Sequence, residues 1–382
     1  MHTQADSRLR VLMVSTSYPR DLGDWRGLFI RHLAYALARS PSIELSLWNP
    51  PGDLPERAKA VMSPHEAAWL DRLMGAGGIA HALRTHRVAG LLAAARLLRM
   101  LSATYRRNPD VDVYHANWLQ CALPLPANGK PALITVLGSD MGLLGLPLMK
   151  TLLRRAMRGR RVAICPNADW MEAPLRAAFG DVAQIATVVF GIDPDWYAIR
   201  REPAVAPSRW LAVTRLTRDK LGPLFEWSEP LFRDRARELH LFGPMQETIA
   251  VPDWVRYHGP ATPAQLAGEA FPGATGLITL SRHNEGRPQV MLEAMAAGLP
   301  VVASRMPAHA GLVEDGVTGI LCSDTAGYAD ALARLEDPAA NRQAGEAARA
   351  WALREIGTWD DCAGRYATIY RRLLATTAHA HD

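Results

Sequence analysis

Lysine is scarce in this chain, and several short patterns that mark common enzyme classes are missing. Only four residues are lysine, Lys59, Lys130, Lys150 and Lys220, although Lys and Arg together number 43. The four cysteines lie far apart, with no CxxC pair and no paired histidines at metal-ligand spacing, which indicates buried thiols in a reducing compartment. No GxxxxGK[ST], GxSxG or HExxH pattern is present, so several large enzyme classes are disfavoured.

A long uninterrupted apolar run is also missing. After the basic start "MHTQADSRLR" only Val11 to Val14 are apolar, which is too short for the core of a signal peptide. The longest apolar stretch, "VAGLLAAARLLRML", is interrupted by Arg96 and Arg99, which argues against a bilayer span. We therefore expect a cytoplasmic protein without a cleaved leader.

Charge is distributed unevenly along the chain. Residues 1–191 hold 23 Lys and Arg against 14 Asp and Glu, a net +9, which leaves 20 against 24, a net −4, for the rest. The basic half contains "RTHRVAGLLAAARLLRMLSATYRR" and "KTLLRRAMRGRR", which suit an anionic surface or, alternatively, are two surface helices with solvated arginines. Few aromatic residues interleave with these basic runs, which disfavours a nucleic-acid partner.

Alternation of apolar strands with helical stretches predicts an α/β fold. The chain is too long for one ordinary core, so two domains are expected. The strands predicted in the first half are "LRVLMVSTSYP", "IELSLWN", "VDVYHANW", "PALITVLGS", "RVAICPN" and "ATVVFGID". The strands predicted in the second half are "RWLAVTRL", "ELHLFGP", "VRYHGP", "TGLITLS", "LPVVAS" and "TGILCS". Continuously apolar strands separated by helices predict parallel sheets covered on both faces.

The repeated strand–helix series predicts two Rossmann-like domains that face one another. We place the first at residues 1–191 and the second at residues 192–358, with the Pro-rich segment 193–208 as the linker. A C-terminal helix at about residues 359–378 has a basic end that would pack back on the first domain.

A glutamate-rich run, "SRHNEGRPQVMLEAMAAGLPVVAS", contains the strongest candidate site. Pro288 in a first turn and Gly298 at the exit predict a helix over Pro288–Ala297. The N-terminus of such a helix offers unpaired backbone N–H groups from Arg287 through Met291 and the positive end of the helix dipole, which together suit a phosphate. Gly286 allows the backbone to come close to a ligand.

Glu285 and Glu293 flank the start of this predicted helix. A carboxylate accepts two hydroxyl groups at once, so the pair could hold two polyhydroxyl groups separated by a diphosphate, as in a nucleotide sugar. The alternative makes Glu285 a helix cap and Glu293 a solvated helix residue.

These residues resemble the signature of the retaining glycosyltransferases of family 4, which have the GT-B fold. The resemblance includes "EGRPQVMLEAMAAGLPVVAS" with Glu285 and Glu293, and "RLTRDK" with Arg215 and Lys220 at the family's spacing. It is strongest over residues 210–322. It implies that Glu293 binds the donor ribose, that Glu285 contacts the transferred sugar, and that Arg215 and Lys220 neutralise the leaving diphosphate without a metal or other cofactor.

The same resemblance extends to the helix start and, more loosely, to the first domain. It implies donor contacts from the helix start, and from Gly27 in the loop after the first strand; the helix-start residues are Gly286, Arg287, Pro288, Gln289 and Val290. "DVYHANW" resembles the strand that often carries His-x-His, with His115 kept and Asn117 at the second position. In "TVLGSD" Asp140 matches and Leu137 stands where many relatives have histidine. The resemblance therefore places His115, Asn117 and Asp140 on the acceptor side, with His115 either a core residue or a catalytic one.

These features predict a metal-independent, retaining transferase that moves a sugar from a nucleotide donor to a lipid-linked or glycan acceptor. The expected setting is bacterial surface polysaccharide or lipopolysaccharide assembly, with the enzyme peripheral on the inner face of the cytoplasmic membrane. A sugar-nucleotide epimerase of the same fold remains an alternative, as does a non-catalytic basic module that binds membranes.

Overall fold

The chain folds into two compact units, each built on one parallel β-sheet. The computed structural model describes residues 8–24, 26–79, 83, 87–203, 206–283 and 286–375. Unit 1 comprises Met1–Phe190 with Trp359–Asp382, and unit 2 comprises Gly191–Thr358. The α/β class predicted from the alternation of strands and helices is confirmed.

Unit 1 contains a seven-stranded sheet with the order β3-β2-β1-β4-β5-β6-β7, and every pair of neighbours is parallel. Its strands are β1 Leu9–Val14, β2 Ile43–Trp48, β3 Ala58–Ala60, β4 Val113–Asn117, β5 Ala132–Val136, β6 Val162–Pro166 and β7 Gln184–Ile185. The order reverses between β1 and β4. In sheets of this kind, ligands bind outside the carboxyl ends of the strands at such a reversal.

Helices cover both faces of the unit 1 sheet. They are α1 Leu28–Arg39, α2 Pro64–Gly75, α3 Arg87–Arg107, α4 Met149–Met157, α5 Glu172–Phe179 and the terminal helix α14 Trp359–Ala375. Short 3₁₀ segments are Leu119–Ala122, Ser139–Gly145 and Asp169–Met171. Buried side chains of α3, α4 and α5 pack on one face, and those of α1 and α14 pack on the other. The C-terminal helix therefore supplies part of the core of unit 1.

Helix α3 combines an apolar composition with a largely exposed position, since only 28% of its apolar stretch is buried. Among the residues that the structure describes, Val88–Arg107 is the single helix long and apolar enough to cross a membrane, with a mean hydropathy of 1.2. This finding rests on length and composition alone, so the expectation that Arg96 and Arg99 argue against a span stays a prediction. In this fold, however, Leu101 and Tyr105 are fully buried in the core of unit 1.

Unit 2 contains a six-stranded parallel sheet with the order β10-β9-β8-β11-β12-β13. Its strands are β8 Ser208–Val213, β9 Arg237–Phe242, β10 Val255–Gly259, β11 Gly276–Thr279, β12 Val301–Ser304 and β13 Gly319–Cys322. Its helices are α6 Pro194–Ala198, α7 Arg218–Leu221, α8 Leu224–Phe232, α9 Pro263–Gln265, α10 Gln289–Ala296, α11 Pro307–Ala310, α12 Thr325–Glu336 and α13 Pro338–Glu355, with a π-helical turn at Leu266–Ala270. The order reverses between β8 and β11.

One sequence-based prediction about the end of the first half is wrong. The strand predicted in "ATVVFGID" is absent there, and the observed edge strand β7 lies just before it. The predicted linker 193–208 lies within unit 2 and includes helix α6, whose Trp196 packs on Phe271 with the ring centroids 5.0 Å apart. Proline-rich composition predicts a break in regular structure, but the burial of Trp196 depends on a partner that is distant in sequence.

Candidate functional site

The candidate donor site lies at the reversal of strand order in unit 2. Strands β8 and β11 are neighbours there, and the loops that leave their carboxyl ends contain Arg215 and Lys220 after β8, and Gly286 after β11. Helix α10 follows the second loop. Two motifs separated by more than sixty residues in the sequence are therefore carried to the same edge of one sheet, where a ligand is expected.

The loop after β8 places its two cations on a short helical turn. Thr217 caps α7, and the backbone N–H of Lys220 donates to its Oγ1 over 3.2 Å. Arg215 donates from Nη1 to Oε1 of Gln246 over 3.3 Å. Both cationic side chains are partly buried. A preorganised pair of cations suits the charge that develops on a leaving diphosphate.

The loops after β8 and β11 contact each other through their backbones. The N–H of Arg282 donates to the carbonyl oxygen of Asp219 over 2.8 Å. Gly222 has φ +55°, and a Cβ atom there would lie 2.0 Å from the carbonyl oxygen of Leu280. Gly243 has φ +137°, and its Cβ atom would lie 1.7 Å from the carbonyl oxygen of Thr214. These two glycines allow three neighbouring loops to pack closely around the cation-bearing turn.

We expect Gly222→Ala and Gly243→Ala each to destabilise unit 2 by about 2–4 kcal/mol, because each adds a backbone clash to an unfavourable φ. The measurement is chemical denaturation, with nucleotide binding as a second readout. Gly364→Ala is the matched control, because its Cβ would meet nothing within 4 Å inside helix α14. That control should be neutral or stabilising. Unchanged stability in both site variants would contradict the proposed packing.

Helix α10 begins as the sequence predicts and presents backbone N–H groups toward the site edge. Pro288 occupies the N-cap position in an extended conformation, no side chain among the described residues caps the helix, and no acidic residue lies in its first turn. Gln289 donates from Nε2 to the carbonyl oxygen of Gly191 over 2.9 Å, which fixes the first turn. Val290 is partly buried in that turn. An uncapped helix start of this kind accommodates an anion.

The opposite end of α10 is held by two partly buried arginines. Gly298 has φ +70°, and Leu299 N–H donates back to the carbonyl of Ala294 over 2.8 Å, which closes the helix. Arg349 donates from Nη2 to the carbonyl of Ala297 over 2.7 Å, and Arg201 donates to the carbonyl of Gly298. Cations at a helix C-terminus complement its dipole.

Burial of Arg201, with a smaller contribution from the charge of Arg349, lowers the pKa of Arg201 to about 10. The composition of the chain, rich in arginine, did not identify these two residues as the ones that hold the helix.

Glu293 lies in the second turn of α10 in an environment that disfavours its charge. Burial, and secondly the negative charge of Asp193, raise the pKa of Glu293 to about 7. Asp193 itself caps helix α6 and accepts a hydrogen bond from the N–H of Asp195 over 3.1 Å. Hydroxyl groups that donate hydrogen bonds to a carboxylate favour its charged form and lower its pKa. A polyhydroxyl ligand bound at Glu293 would therefore stabilise the ionised carboxylate and with it the site.

The other residues predicted around the helix start are only partly described. Glu285 lies outside the described residues. Gly286 is buried, Arg287 is partly buried and Pro288 is buried. Among the described residues, no group of three or more His, Cys, Asp or Glu side chains has the arrangement of a metal site.

In unit 1, the residues predicted for the acceptor side follow the strands at its own reversal. Asn117 ends β4 and donates from Nδ2 to the carbonyl of Val14, the last residue of β1, over 3.1 Å. Its Oδ1 is buried and has no hydrogen-bond partner among the residues described. Trp118 follows with φ +70°, a strained value for a bulky residue. An unsatisfied amide oxygen beside strained backbone marks this edge as a candidate site.

His115 is a core residue of unit 1. It is fully buried, and its ring nitrogens lie 2.7 Å from Tyr370 Oη and 2.7 Å from Thr135 Oγ1. Burial lowers its pKa to about 3, so the ring stays neutral. Of the two alternatives left open by the sequence, the core position is the one that this geometry favours.

Asp140 and Gly27 organise loops at the same edge. The carboxylate of Asp140 accepts the N–H of Leu119 and that of Leu137, each over 3.0 Å, while its burial raises its pKa to about 6. Gly27 has φ +70°, and a Cβ atom there would lie 2.8 Å from the backbone of Ser17. Within this structure the close approach at Gly27 is to Ser17 of the same loop.

Two solved structures share the fold of almost the whole chain. Sucrose-phosphate synthase from Thermosynechococcus elongatus aligns with a TM-score of 0.72 at 18% identity, covering 97% of this chain and 100% of that chain. The Anabaena protein HepE, in complex with UDP and glucose, aligns with a TM-score of 0.66 at 14% identity, covering 95% and 100%. At such identities the likeness shows the fold, which is the GT-B fold of glycosyltransferases.

Sequence comparisons add a family to this fold. Residues 208–337 match the family "Glycosyl transferases group 1". A D-inositol 3-phosphate glycosyltransferase from Acidothermus cellulolyticus is 34% identical over 143 residues, which are 37% of this chain and 31% of that protein. A glycogen synthase from Mycobacterium tuberculosis is 27% identical over 407 residues, covering 95% and 94%. The chain thus spans about a third of the first of these relatives.

Unit 2 therefore carries a glycosyl transferases group 1 domain. The family resemblance predicted from the Glu285–Glu293 and Arg215–Lys220 motifs is confirmed, since both motifs lie within the matched residues.

Proposed function

We propose that this protein is a retaining, metal-independent glycosyltransferase that uses a nucleotide-diphosphate sugar. The single observation that carries the proposal is the convergence of Arg215, Lys220 and the uncapped start of α10 at the strand reversal of unit 2. Three cationic or partly positive groups at one edge suit a diphosphate. The HepE structure with UDP and glucose supports this choice of donor class by similarity of fold.

Each donor-site residue has a proposed role. The N–H groups at Gln289 and Val290 hold a phosphate, and Arg287 and Gly286, which has no side chain, shape the approach to it. Glu293 accepts hydroxyl groups of the ribose, and Glu285 those of the transferred sugar. These assignments follow the resemblance and agree with the high pKa of Glu293, which two donated hydroxyl bonds would lower.

The chemical step breaks the bond between the anomeric carbon and the diphosphate oxygen. Negative charge then builds on the diphosphate, and the ammonium of Lys220 and the guanidinium of Arg215 stabilise it. In the retaining mechanism that we propose, the acceptor oxygen bonds to the anomeric carbon on the same face of the sugar, and this phosphate takes the proton of the acceptor hydroxyl. A protein base is then unnecessary, which agrees with the buried, neutral His115.

The acceptor is proposed to be lipid-linked or a glycan, bound at the carboxyl edge of unit 1 near Asn117 and Trp118. Surface polysaccharide or lipopolysaccharide assembly is the setting that fits such an acceptor. We propose that the protein works in the cytoplasm, peripheral on the anionic inner face of the membrane. The net +9 of residues 1–191 supports this association.

Thermal unfolding in the presence of nucleotides tests the donor class. The panel contains uridine, guanosine and adenosine diphosphates and their common sugars, each with and without magnesium. We expect one nucleotide series to raise the midpoint by mass action, without a requirement for the metal. Turnover of the donor without any acceptor would favour the epimerase alternative. A panel in which no nucleotide raises the midpoint would contradict the proposal and favour a non-catalytic membrane-binding module.

A further inference from the structure

Three exposed leucines lie just before and within the first turns of α4, on the segment that follows the carboxyl end of β5 in unit 1. Leu146, Leu148 and Leu152 are 50%, 73% and 49% exposed, and we call them the leucine tip. Leu148 and Leu152 are four residues apart at the start of α4, so they share one face of that helix. Exposed apolar residues grouped in this way indicate an interaction surface.

The backbone holds the leucine tip outward. Leu148 has φ +61° and ψ −10°, a left-handed conformation that is unfavourable for leucine. The turn is closed by hydrogen bonds from Leu146 N–H to the carbonyl of Leu143 over 3.0 Å, and from Leu152 N–H to the carbonyl of Leu148 over 2.9 Å. Strain at an exposed apolar residue is retained where the surrounding structure and a function require it.

The segment that contains the leucine tip carries several basic side chains and no acidic ones. From Met141 to Arg161 the chain carries Lys150, Arg154, Arg155, Arg158, Arg160 and Arg161, and no Asp or Glu. Arg154 pairs with Asp181, and Arg160 donates to the carbonyl of Lys130. Lys150, Arg155 and Arg158 are exposed.

Arg155 lies on the same helical stripe as Leu148 and Leu152, about 10 Å along the axis from Leu148. Along this face of α4, the side chains are therefore apolar at the start of the helix and cationic in its second turn. Amphipathic segments of this kind bury their apolar side chains about 5–10 Å into the headgroup and acyl boundary of a bilayer, while their basic side chains stay at the lipid phosphates.

We propose that the leucine tip inserts into an anionic membrane surface while Lys150, Arg155 and Arg158 bind the lipid phosphates. The charge complementarity selects an anionic bilayer as the occupant. The tip also follows the 3₁₀ segment that Asp140 ties to Leu119, the residue after Asn117 and Trp118. That this surface delivers a lipid-linked acceptor to Asn117 rests on the transferase activity proposed above; the membrane binding itself does not.

The experiment labels the tip directly. Because all four native cysteines are buried, Leu148→Cys introduces one exposed thiol for an environment-sensitive fluorophore. We expect a blue shift of its emission with vesicles that contain about one third phosphatidylglycerol, and a much smaller one with pure phosphatidylcholine. Leu353→Cys, at a 60% exposed leucine of α13, is the matched control and should not shift.

Sedimentation with the same vesicles measures the affinity. The double variant Leu148→Ser/Leu152→Ser should partition at least about tenfold less, as expected when two leucines no longer leave water. Its nucleotide-induced rise in midpoint should equal that of the wild type, so loss of membrane binding alone leaves the transferase proposal standing. Unchanged partitioning or equal binding to neutral vesicles would each overturn the inference. It would also be overturned if the wild type is a dimer and the double variant is a monomer, because the leucines would then contact a second copy of the chain.

Discussion

Lys220→Ala is expected to lower kcat by about 10²–10³-fold, the loss typical of removing one fixed donor to developing charge. Lys220 is the only lysine in the sequence of unit 2. Its backbone N–H, which bonds Thr217, is unaffected by the substitution, so the α7 turn should persist. The effect should therefore appear in catalysis and in nucleotide binding rather than in stability.

Kinetics of transfer and unfolding of the free protein together check this prediction. Arg218→Ala is the matched control, because Arg218 is exposed on the same short helix and we assign it no contact with the donor. Arg215→Ala should resemble Lys220→Ala, and the double variant should be less than additive because the two cations act on one leaving group. Full activity of Lys220→Ala would show that the diphosphate is stabilised elsewhere.

Glu293→Gln is expected to bind nucleotide about 10–100-fold more weakly and yet to be more stable without ligand at about pH 8. The folded protein holds the pKa of Glu293 at about 7, above its ordinary value of 4.5. Between these values the folded state binds more protons than the unfolded state. The stability of the wild type therefore falls as the pH rises from about 4.5 through 7.

The raised pKa of Glu293 lowers the free energy of unfolding of the wild type at pH 8 by at most about 3 kcal/mol, since each pKa unit corresponds to about 1.4 kcal/mol. Glutamine carries no charge, so the variant should lose this part of the pH dependence and match the wild type near pH 5. Denaturation at several pH values and calorimetric titration with the nucleotide measure the two effects separately. A variant that is less stable at pH 8, or that binds nucleotide normally, would contradict the assigned role.

Asp193→Asn separates the two causes of the high pKa. Asparagine is as good an N-cap as aspartate, so helix α6 should be retained while the neighbouring charge is removed. The pKa of Glu293 should fall, because the second of its two causes is gone. The loss of stability with rising pH should therefore end at a lower pH in the variant than in the wild type. Nucleotide binding should persist, because the carboxylate of Glu293 is still present.

The local sequence determined most of the secondary structure and the donor motif. Continuous apolar strands predicted the parallel sheets, and Pro288 with Gly298 predicted helix α10 to within one residue at each end. These signals depend on residues close together in the chain, which is why a single sequence contains them.

Only the tertiary structure decided which of the distant residues cooperate. Asp193 perturbs Glu293 from a helix outside the motif, Arg201 and Arg349 hold the far end of α10, and Gly222 packs on Leu280. It also placed His115 in the core through a hydrogen bond from the terminal helix. Burial and contact arise from packing between segments far apart in the chain, and neither has a local sequence pattern.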